Sequence, residues 1–279
     1  MIKNKRIFQF YYFFLILLLP ICSQSHSFMS YNIRYDNNWD VENSWLLRKS
    51  KIVDLMIQKT PSVIGIQEGL INQVQFIDSC LFNYDYFGVG REDGNVKGEF
   101  CAIYYDTTRY SLKKHSTFWL SETPESISIG WDAALERICT YGLFKDKKTF
   151  NEFWVFNTHY DHLGSLAREK SSELIIKKIK KVNIDNLSLI LMGDFNSMPG
   201  SSPIKIIEST LNDALKISLK KLQGPVGTFN EFNLNSPIDK RIDYIFTNRF
   251  KVLSYQHINE RLNNNRYISD HLSVIVEVQ

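Results

Sequence analysis

A short apolar run in the second half of the chain is followed at once by polar residues that could do chemistry. The run, Leu187–Met192, is typical of a fully buried strand, and Asp194 and Asn196 come directly after it. If Phe195 between them stays extended, the carboxylate and the carboxamide point to the same side of the chain. Such a pair can hold a water molecule beside a charged substrate. A strand that simply ends in a turn is the alternative, because Asp and Asn are common turn residues.

Polar residues recur at the ends of the other predicted apolar strands. They are Asn32, Glu68, Glu99, His159, Asp243, Asp270 and His271. Each has an ordinary alternative: a solvated carboxylate, a structural histidine, or a pairing of Asp243 with Arg241. Ligands of layered α/β proteins, however, bind where strand ends converge. We therefore expect these side chains to form one site together with Asp194 and Asn196.

The residue types at this expected site favour a hard divalent cation. Carboxylate and amide oxygens suit Mg²⁺ or Mn²⁺. The sequence has no Cys/His cluster at zinc spacing, and the group His159, Asp161 and His162 lacks a second matched cluster. It also lacks a Gly-x-Ser-x-Gly elbow, a P-loop and a dinucleotide fingerprint.

The elements that must position these residues alternate between strands and helices early in the chain, and strands cluster late. Strands are predicted over 28–33, 62–67, 99–105, 152–157, 187–192, 241–247 and 272–278. Helices are predicted over 46–59, 70–82, 166–182 and 204–210, the last with Ser202 as its N-cap. Residues 116–137 are rich in turn formers and are expected to form a long surface loop. This order indicates an α/β or α+β protein with a mixed sheet.

The N-terminus has the pattern of a secretory signal peptide. Lys3, Lys5 and Arg6 precede an apolar run over 10–19, and small polar residues follow. The run is short for a membrane span, so we expect cleavage near residue 25 and a secreted or periplasmic protein without a stable membrane span. An uncleaved anchor, or lipidation at Cys22 despite the bulky Ile21 before it, is the alternative.

Charge and cysteine content limit the function further. Residues 1–25 hold three basic and no acidic residues, so the formal net charge of +3 disappears on cleavage. A neutral mature chain lacks the global basic field of an avid nucleic-acid binder, although a local basic cleft is compatible with it. Three cysteines remain, Cys80, Cys101 and Cys139, which implies no disulfide framework and at most one bridge.

Eight segments, in order along the chain, resemble the endonuclease/exonuclease/phosphatase family, which includes DNase-I-like nucleases, inositol-phosphate 5-phosphatases, neutral sphingomyelinases and deadenylases. They are MSYNIR (29–34), IQE (66–68), GEFCAIYY (98–105), NTHYDH (157–162), MGDFNSMPGSSP (192–203), GTFN (227–230), RIDYIF (241–246) and SDH (269–271). FWLSETPE (118–125) and GWDAALER (130–137) resemble secreted bacterial-type members near the deadenylase branch. The resemblance implies a four-layer α/β/β/α sandwich with two packed mixed β-sheets, formed by residues 26–279 after the signal peptide of residues 1–25.

The resemblance also implies a role for each polar residue. Glu68 corresponds to the principal metal ligand, with Asn32 close to the metal or phosphate and Asp270 near the metal; the ion would be Mg²⁺ or Mn²⁺. Asp194 corresponds to the residue that orients or deprotonates the attacking water. The other implied roles are phosphate binding by His159 and His271, phosphate or water binding by Asn196, orientation of His271 by Asp243 and of His159 by Glu99, and packing support from Phe229 and Tyr244.

These groups together predict a secreted, metal-dependent phosphoesterase that hydrolyses its substrate by in-line attack of water. A neutral chain disfavours tight duplex binding, so a small or single-stranded substrate is expected. A phosphodiester is favoured over a phosphomonoester. The alternatives are a monoesterase for inositol or sugar phosphates, a sphingomyelinase-like lipid phosphodiesterase, and a non-catalytic binding homologue. We expect a monomer whose selectivity is set by loops 91–98, 118–137 and 160–168.

Overall fold

The computed structural model describes residues 25–279. The predicted signal peptide therefore lies outside the described residues, apart from Ser25. No helix within residues 25–279 has the length and apolar character needed to cross a bilayer.

Twelve strands and four α-helices follow one another along the described chain. The strands are β1 (His26–Asn32), β2 (Val63–Gln67), β3 (Tyr84–Phe87), β4 (Ile103–Asp106), β5 (Tyr110–Trp119), β6 (Ile138–Asp146), β7 (Glu152–His159), β8 (Ser188–Asp194), β9 (Asn212–Asp213), β10 (Asp243–Thr247), β11 (Val252–Ile258) and β12 (Ser273–Val278). The helices are α1 (Trp45–Lys59), α2 (Ile71–Cys80), α3 (Ser165–Val182) and α4 (Ser202–Glu208), and a short 3-10 turn spans Val41–Asn43.

The strands form two six-stranded mixed sheets. The first sheet has the order β11-β12-β1-β2-β4-β3, and the second has the order β5-β6-β7-β8-β10-β9. Each sheet contains one parallel pair at its centre, β1 with β2 and β7 with β8. The remaining neighbours are antiparallel. Since parallel strands end at the same edge, each sheet presents two adjacent carboxyl ends to one edge of the sandwich.

Three apolar clusters hold the sandwich together. The two sheets face each other across buried side chains that include Phe28, Phe153 and Ile190. The outer face of the first sheet packs against α1 and α2, and the outer face of the second packs against α3 and α4. Strands buried on both faces read as continuous apolar runs, which is why the central strands were visible in the sequence. The predicted four-layer α/β/β/α sandwich is confirmed.

The helices begin and end for local reasons. Helix α1 is capped at its C-terminus by Thr60, which adopts a left-handed conformation (φ 44°). Pro61, which follows, cannot continue the helix. In α4, Pro203 lies in the first turn, where the lack of an N–H group costs nothing. The N-cap of α4 is Ser201, one residue earlier than predicted, and the Ser202 hydroxyl instead donates to Glu169 at 2.6 Å.

Two boundaries predicted from the sequence are wrong by four residues, Glu99 against Ile103 and residue 116 against residue 120. Strand β4 begins at Ile103 rather than Glu99, because the backbone at Phe100 makes single bridges to Gly69 and Gly90 instead of a continuous ladder. Residues 116–119 of the predicted long loop belong to β5. An exposed polar stretch in β5 hides the alternation of apolar and polar residues that is typical of a strand. Strand β6 pairs with β5 along the whole length of β5. The irregular segment therefore runs over 120–137.

Candidate active site

The convergence of strand ends places Asp194 at the centre of a polar site between the two sheets. His159 at the end of β7 and Asp243 at the start of β10 lie opposite Asp194 in the strand register. Asn32, at the end of β1 in the other sheet, donates from Nδ2 to Oδ2 of Asp194 and to Oε1 of Glu68, both at 3.0 Å. One carboxamide thus links the two sheets at this edge of the sandwich.

Two histidines lie close to the same carboxylate oxygen. Nε2 of His159 and Nε2 of His271 each lie 3.6 Å from Oδ2 of Asp194. The Nδ1 atom of His271 lies 2.9 Å from Oδ2 of Asp243, within hydrogen-bonding distance. This contact excludes the alternative pairing of Asp243 with Arg241, since Arg241 forms its ion pair with Asp213. Phe229 packs on the ring of His271 at 4.8 Å between centroids.

The surroundings of the two histidines shift their pKa values in opposite directions. Burial, reinforced by the charges of Arg137 and Arg91, holds the pKa of His159 well below its ordinary value. Burial also acts to lower the pKa of His271, but the carboxylates of Asp243 and Asp194 outweigh it and raise the pKa well above its ordinary value. At neutral pH the site therefore contains one neutral imidazole and one imidazolium.

The carboxyl groups of the site are crowded and buried. Burial and the neighbouring Asp243 raise the pKa of Asp194 to about 7. Burial, together with the charge of Glu68, raises the pKa of Asp270 to about 6 against the opposing charges of His271 and Arg34. Oδ1 of Asp243 is buried without a hydrogen-bond partner among the residues that the structure describes. Acids this close raise one another's pKa until a cation neutralises them.

Glu99, predicted to orient His159, has a different partner. Its carboxylate accepts two hydrogen bonds from Arg91, both at 2.8 Å, and its Oε2 lies 3.7 Å from Nδ1 of His159, beyond hydrogen-bonding distance. Burial, partly offset by Arg91, raises the pKa of Glu99 to about 7. Arg137 contacts His159 instead, since its terminal nitrogen lies 3.3 Å from each ring nitrogen.

Arg137 is held in place by the segment that follows β7. Its Nε donates to Oδ2 of Asp161 at 3.2 Å, and another terminal nitrogen lies 2.9 Å from Nδ1 of His162. The other oxygen of Asp161 accepts hydrogen bonds from the backbone N–H groups of Leu163 and Gly164. The group His159, Asp161 and His162 therefore serves to position an arginine, and its spacing is not that of a metal-ligand set.

Local backbone strain marks the same site. Asn196 (φ 45°), Glu68 (φ 64°) and Arg34 (φ 58°) all adopt the left-handed conformation that non-glycine residues seldom take. Each such residue costs on the order of 1 kcal/mol, and the surrounding hydrogen bonds must offset that cost. In Asn196, the backbone N–H donates to Oδ1 of Asp194 at 2.9 Å, while the carboxamide donates to the carbonyl of Tyr160 at 3.0 Å and contacts His159. The strained turn thus places the carboxamide against His159.

These groups surround a cleft of about 370 Å³. Seven of the nine predicted site residues line it, and Asn32 and Asp243 lie buried behind its wall. The lining residues are Arg34, Tyr35, Glu68, Glu99, Leu135, Arg137, His159, His162, Asp194, Asn196, Phe229, Asp270 and His271.

Sequence reasoning missed the arginines of this cleft. Arg34 and Arg137 lie in irregular segments, where no periodicity indicates the direction of a side chain. A weak signal exists for each, because Arg34 follows β1 by two residues and Arg137 immediately precedes β6. Both arginines thus lie beside strand ends, as the carboxylates, amides and histidines of the site do.

The donor set fits a divalent cation on the side of the cleft formed by Glu68 and Asp270. Both are carboxylates that line the cleft, and burial, together with the charge of Glu68, raises the pKa of Asp270 to about 6. A second cluster, Asp194, Asp243 and His271, also has possible ligand atoms within 4.8 Å of one another. That cluster suits a metal less well, since Nδ1 of His271 is engaged by Asp243 and the ring is held protonated.

Comparisons with known proteins agree with this geometry. A family model described as the Endonuclease/Exonuclease/phosphatase family matches residues 29–271. A solved mannosyl-6-phosphatase from Bacteroides thetaiotaomicron is 37% identical, with a TM-score of 0.88 over 91% of this chain and 99% of that one. An endonuclease/exonuclease/phosphatase from Bacteroides vulgatus is 34% identical, with a TM-score of 0.87 over 92% and 99% of the two chains. An uncharacterised mimivirus protein, L388, is 27% identical over 83% of this chain and 91% of its own length.

Proposed function

Because the chain belongs to the endonuclease/exonuclease/phosphatase family, a family of phosphoester hydrolases, we propose that it is a divalent-metal-dependent phosphomonoesterase acting on a sugar phosphate. The observation that carries this proposal is the single cleft in which Arg137, His271 and Asn196 face Asp194, Glu68 and Asp270. The signal-peptide pattern of residues 1–25 supports export of the enzyme.

The hydrogen-bond donors on one side of this cleft bind the phosphate. A phosphate ester repels a nucleophile through its own negative charge, so the site must neutralise that charge and hold the phosphoryl oxygens. Arg137 and the imidazolium of His271 supply positive charge, and the carboxamide of Asn196 supplies a neutral donor. Asp243 keeps His271 protonated and oriented through its 2.9 Å contact with Nδ1. His159, which is neutral, contributes a hydrogen bond and no charge.

Water activation falls to Asp194. Its Oδ1 is held by the backbone N–H of Asn196, and its Oδ2 is held by Asn32 while facing both histidines. With a pKa of about 7, this carboxylate can accept a proton from water at the moment of attack on phosphorus. The P–O bond to the sugar breaks as water attacks, the departing ester oxygen takes a proton from solvent, and Asp194 returns its proton to solvent.

Glu68 and Asp270 would hold the metal, with Asn32 fixing the orientation of Glu68. Mg²⁺ or Mn²⁺ suits these oxygen donors, and when bound it would supply Lewis-acid neutralisation of phosphoryl charge. Hydrogen bonds from Asn32 to Oε1 and from the backbone N–H of Tyr35 to Oε2 hold both oxygens of Glu68. This preorganisation places a rigid carboxylate at the mouth of the cleft.

A monoester suits the cleft better than the diester favoured from sequence. A terminal phosphate carries between one and a half and two negative charges near neutral pH, roughly twice the charge of a diester. Arg137, Arg34 and protonated His271 supply positive charge to this small cleft, and a cation held by Glu68 and Asp270 would add to it. Its volume of about 370 Å³ is that of a small-molecule site. The similarity to a mannosyl-6-phosphatase points to the same substrate class.

A substrate panel tests this proposal. The purified enzyme is assayed with mannose 6-phosphate, glucose 6-phosphate, p-nitrophenyl phosphate, bis(p-nitrophenyl) phosphate and a single-stranded oligonucleotide, each with Mg²⁺ and with EDTA. We expect kcat/KM for a sugar phosphate to exceed that for the diesters by roughly tenfold or more, and EDTA to stop turnover. Preferential cleavage of either diester would contradict the monoesterase proposal, and turnover in EDTA would contradict the metal requirement.

A further inference from the structure

Beside the reaction cleft lies an exposed aromatic surface that the proposed chemistry does not use. We propose that Trp39 forms a second, sugar-binding subsite, so that the natural substrate is a phosphorylated oligosaccharide or glycoside in which a further sugar follows the phosphorylated one. This inference rests on the proposed function and extends it from the phosphate to the rest of the substrate.

Trp39 is a large apolar side chain that the fold displays to solvent. Its side chain is 70% exposed, although its loop is held firmly. The Asn37 carboxamide oxygen accepts hydrogen bonds from the backbone N–H groups of Trp39 and Asp40. Its nitrogen donates a hydrogen bond to the Asp40 carboxylate at 2.7 Å. Arg34 in turn donates two hydrogen bonds to Asp40, at 2.8 and 3.0 Å. A rigid loop that exposes an indole presents a preformed binding surface at little entropic cost on binding.

The indole is connected to the reaction cleft. Tyr35 contacts Trp39 edge to face at 6.1 Å between ring centroids, and the guanidinium of Arg34 lies over the Tyr35 ring at 4.7 Å. A second cavity of about 350 Å³ is lined by Trp39 and shares Tyr35 and Glu99 with the reaction cleft. The two cavities are therefore adjacent, and a ligand that fills the first cleft and continues past Tyr35 reaches Trp39.

The lining of the second cavity matches a carbohydrate. An indole face packs against the C–H face of a sugar ring, and the amide of Asn38 with the carboxylate of Glu92 is suited to bind its hydroxyls. Stacking of a nucleic-acid base is the other common use of such an aromatic surface. Asp36, Glu92 and Glu99 line the cavity, and no lysine or arginine within residues 25–279 does, so the surface repels a phosphate backbone.

The direction of extension follows from the substrate. In a hexose 6-phosphate the reacting phosphate occupies the inner end of the cleft beside Arg137 and His271, and the opposite end of the sugar, C1, points outward. A second hexose linked at C1 then reaches the cavity of Trp39. The subsite contributes binding to the second sugar and none to the phosphate, so it raises selectivity for longer substrates.

Steady-state kinetics on mannose 6-phosphate and on 6′-phosphomannobiose, which carries the second hexose, test the subsite. We expect the wild type to prefer the disaccharide through a lower KM, and Trp39→Ala to raise that KM about tenfold with little change in kcat. Trp39→Phe is expected to recover part of the preference. Values for mannose 6-phosphate should stay within about twofold in both variants, since that substrate ends before the indole.

Phe150→Ala provides the matched control, because Phe150 is 68% exposed and lies in the hairpin between β6 and β7, at the opposite end of β6 from Arg137. Equal kcat/KM for the two sugar phosphates in the wild type, unchanged in Trp39→Ala, would overturn the subsite and leave the monoesterase proposal standing. Failure of the wild type to hydrolyse either sugar phosphate would overturn both.

Discussion

Asp194→Asn is expected to lower kcat by about 10³-fold while the protein stays folded. The substitution keeps the shape of the side chain and removes its ability to accept a proton, and loss of acid–base assistance typically costs 10²–10⁴-fold. The new amide can still accept the backbone N–H of Asn196, but its nitrogen then faces the Nδ2 donor of Asn32. That conflict costs on the order of 1–2 kcal/mol, partly offset by removal of a buried charge beside Asp243.

Asp146→Asn is the matched control for this variant. Asp146 is also a buried aspartate at the end of a strand of the second sheet, and it accepts hydrogen bonds from Arg109 and from the backbone of Lys148. Asp146 is the last residue of β6 and lies about 27 Å from the first residue of that strand, Ile138, which directly follows Arg137. Circular dichroism melts should show similar, modest losses of stability in both variants, with kcat lowered only in Asp194→Asn. A comparable loss of kcat in both variants would remove Asp194 from the reaction.

Glu68→Gln is expected to raise the Mg²⁺ concentration needed for half-maximal activity by about 10–100-fold. The neutral amide keeps the size of the side chain and one acceptor oxygen but loses the charge that attracts the cation. Activity at about 1 mM Mg²⁺ should therefore fall by roughly 10²-fold, and added Mg²⁺ should restore much of it. Asp194→Asn should show no such recovery, because its defect lies in proton transfer.

The measurement is kcat as a function of Mg²⁺ concentration for the wild type and both variants. Glu136→Gln serves as the control, since Glu136 is a half-buried carboxylate next to Arg137 that does not line the cleft. Equal recovery of Glu68→Gln and Asp194→Asn, or an unshifted Mg²⁺ curve for Glu68→Gln, would refute the division of roles between the two carboxylates.

The strand ends of the site could be predicted from sequence because burial leaves a plain signature there. Strands β2, β7 and β8 are buried along nearly their whole length, so their apolar runs stop where the chain meets the cleft, at Glu68, His159 and Asp194. The family resemblance supplied the order of the layers. Periodicity alone does not determine how two sheets face each other, and the hydrogen bonds of Asn32 to both Asp194 and Glu68 are a product of that packing.

The loop residues could not be predicted, for a different reason. Arg137 reaches His159 from an irregular segment, and its position depends on Asp161 in another loop. Trp39 is exposed on a loop held by Asn37 and Asp40, where neither burial nor alternation marks the sequence. The loops expected to set selectivity, 91–98, 118–137 and 160–168, contribute Gly98, Leu135, His162 and others to the two cavities. The segment 34–40, which lines both cavities as well, was not among them.

Hydrolysis in ¹⁸O-labelled water, followed by ³¹P NMR, tests the central claim most directly. The wild-type enzyme is incubated with Mg²⁺ and mannose 6-phosphate, and the oxygen isotopes of the released phosphate are read from the chemical shift. The account predicts inorganic phosphate that carries one solvent oxygen, formed with Mg²⁺ and not with EDTA, because water attacks phosphorus in a single cleavage of the P–O bond. Phosphate without solvent oxygen, or no release of phosphate from the sugar, would contradict it.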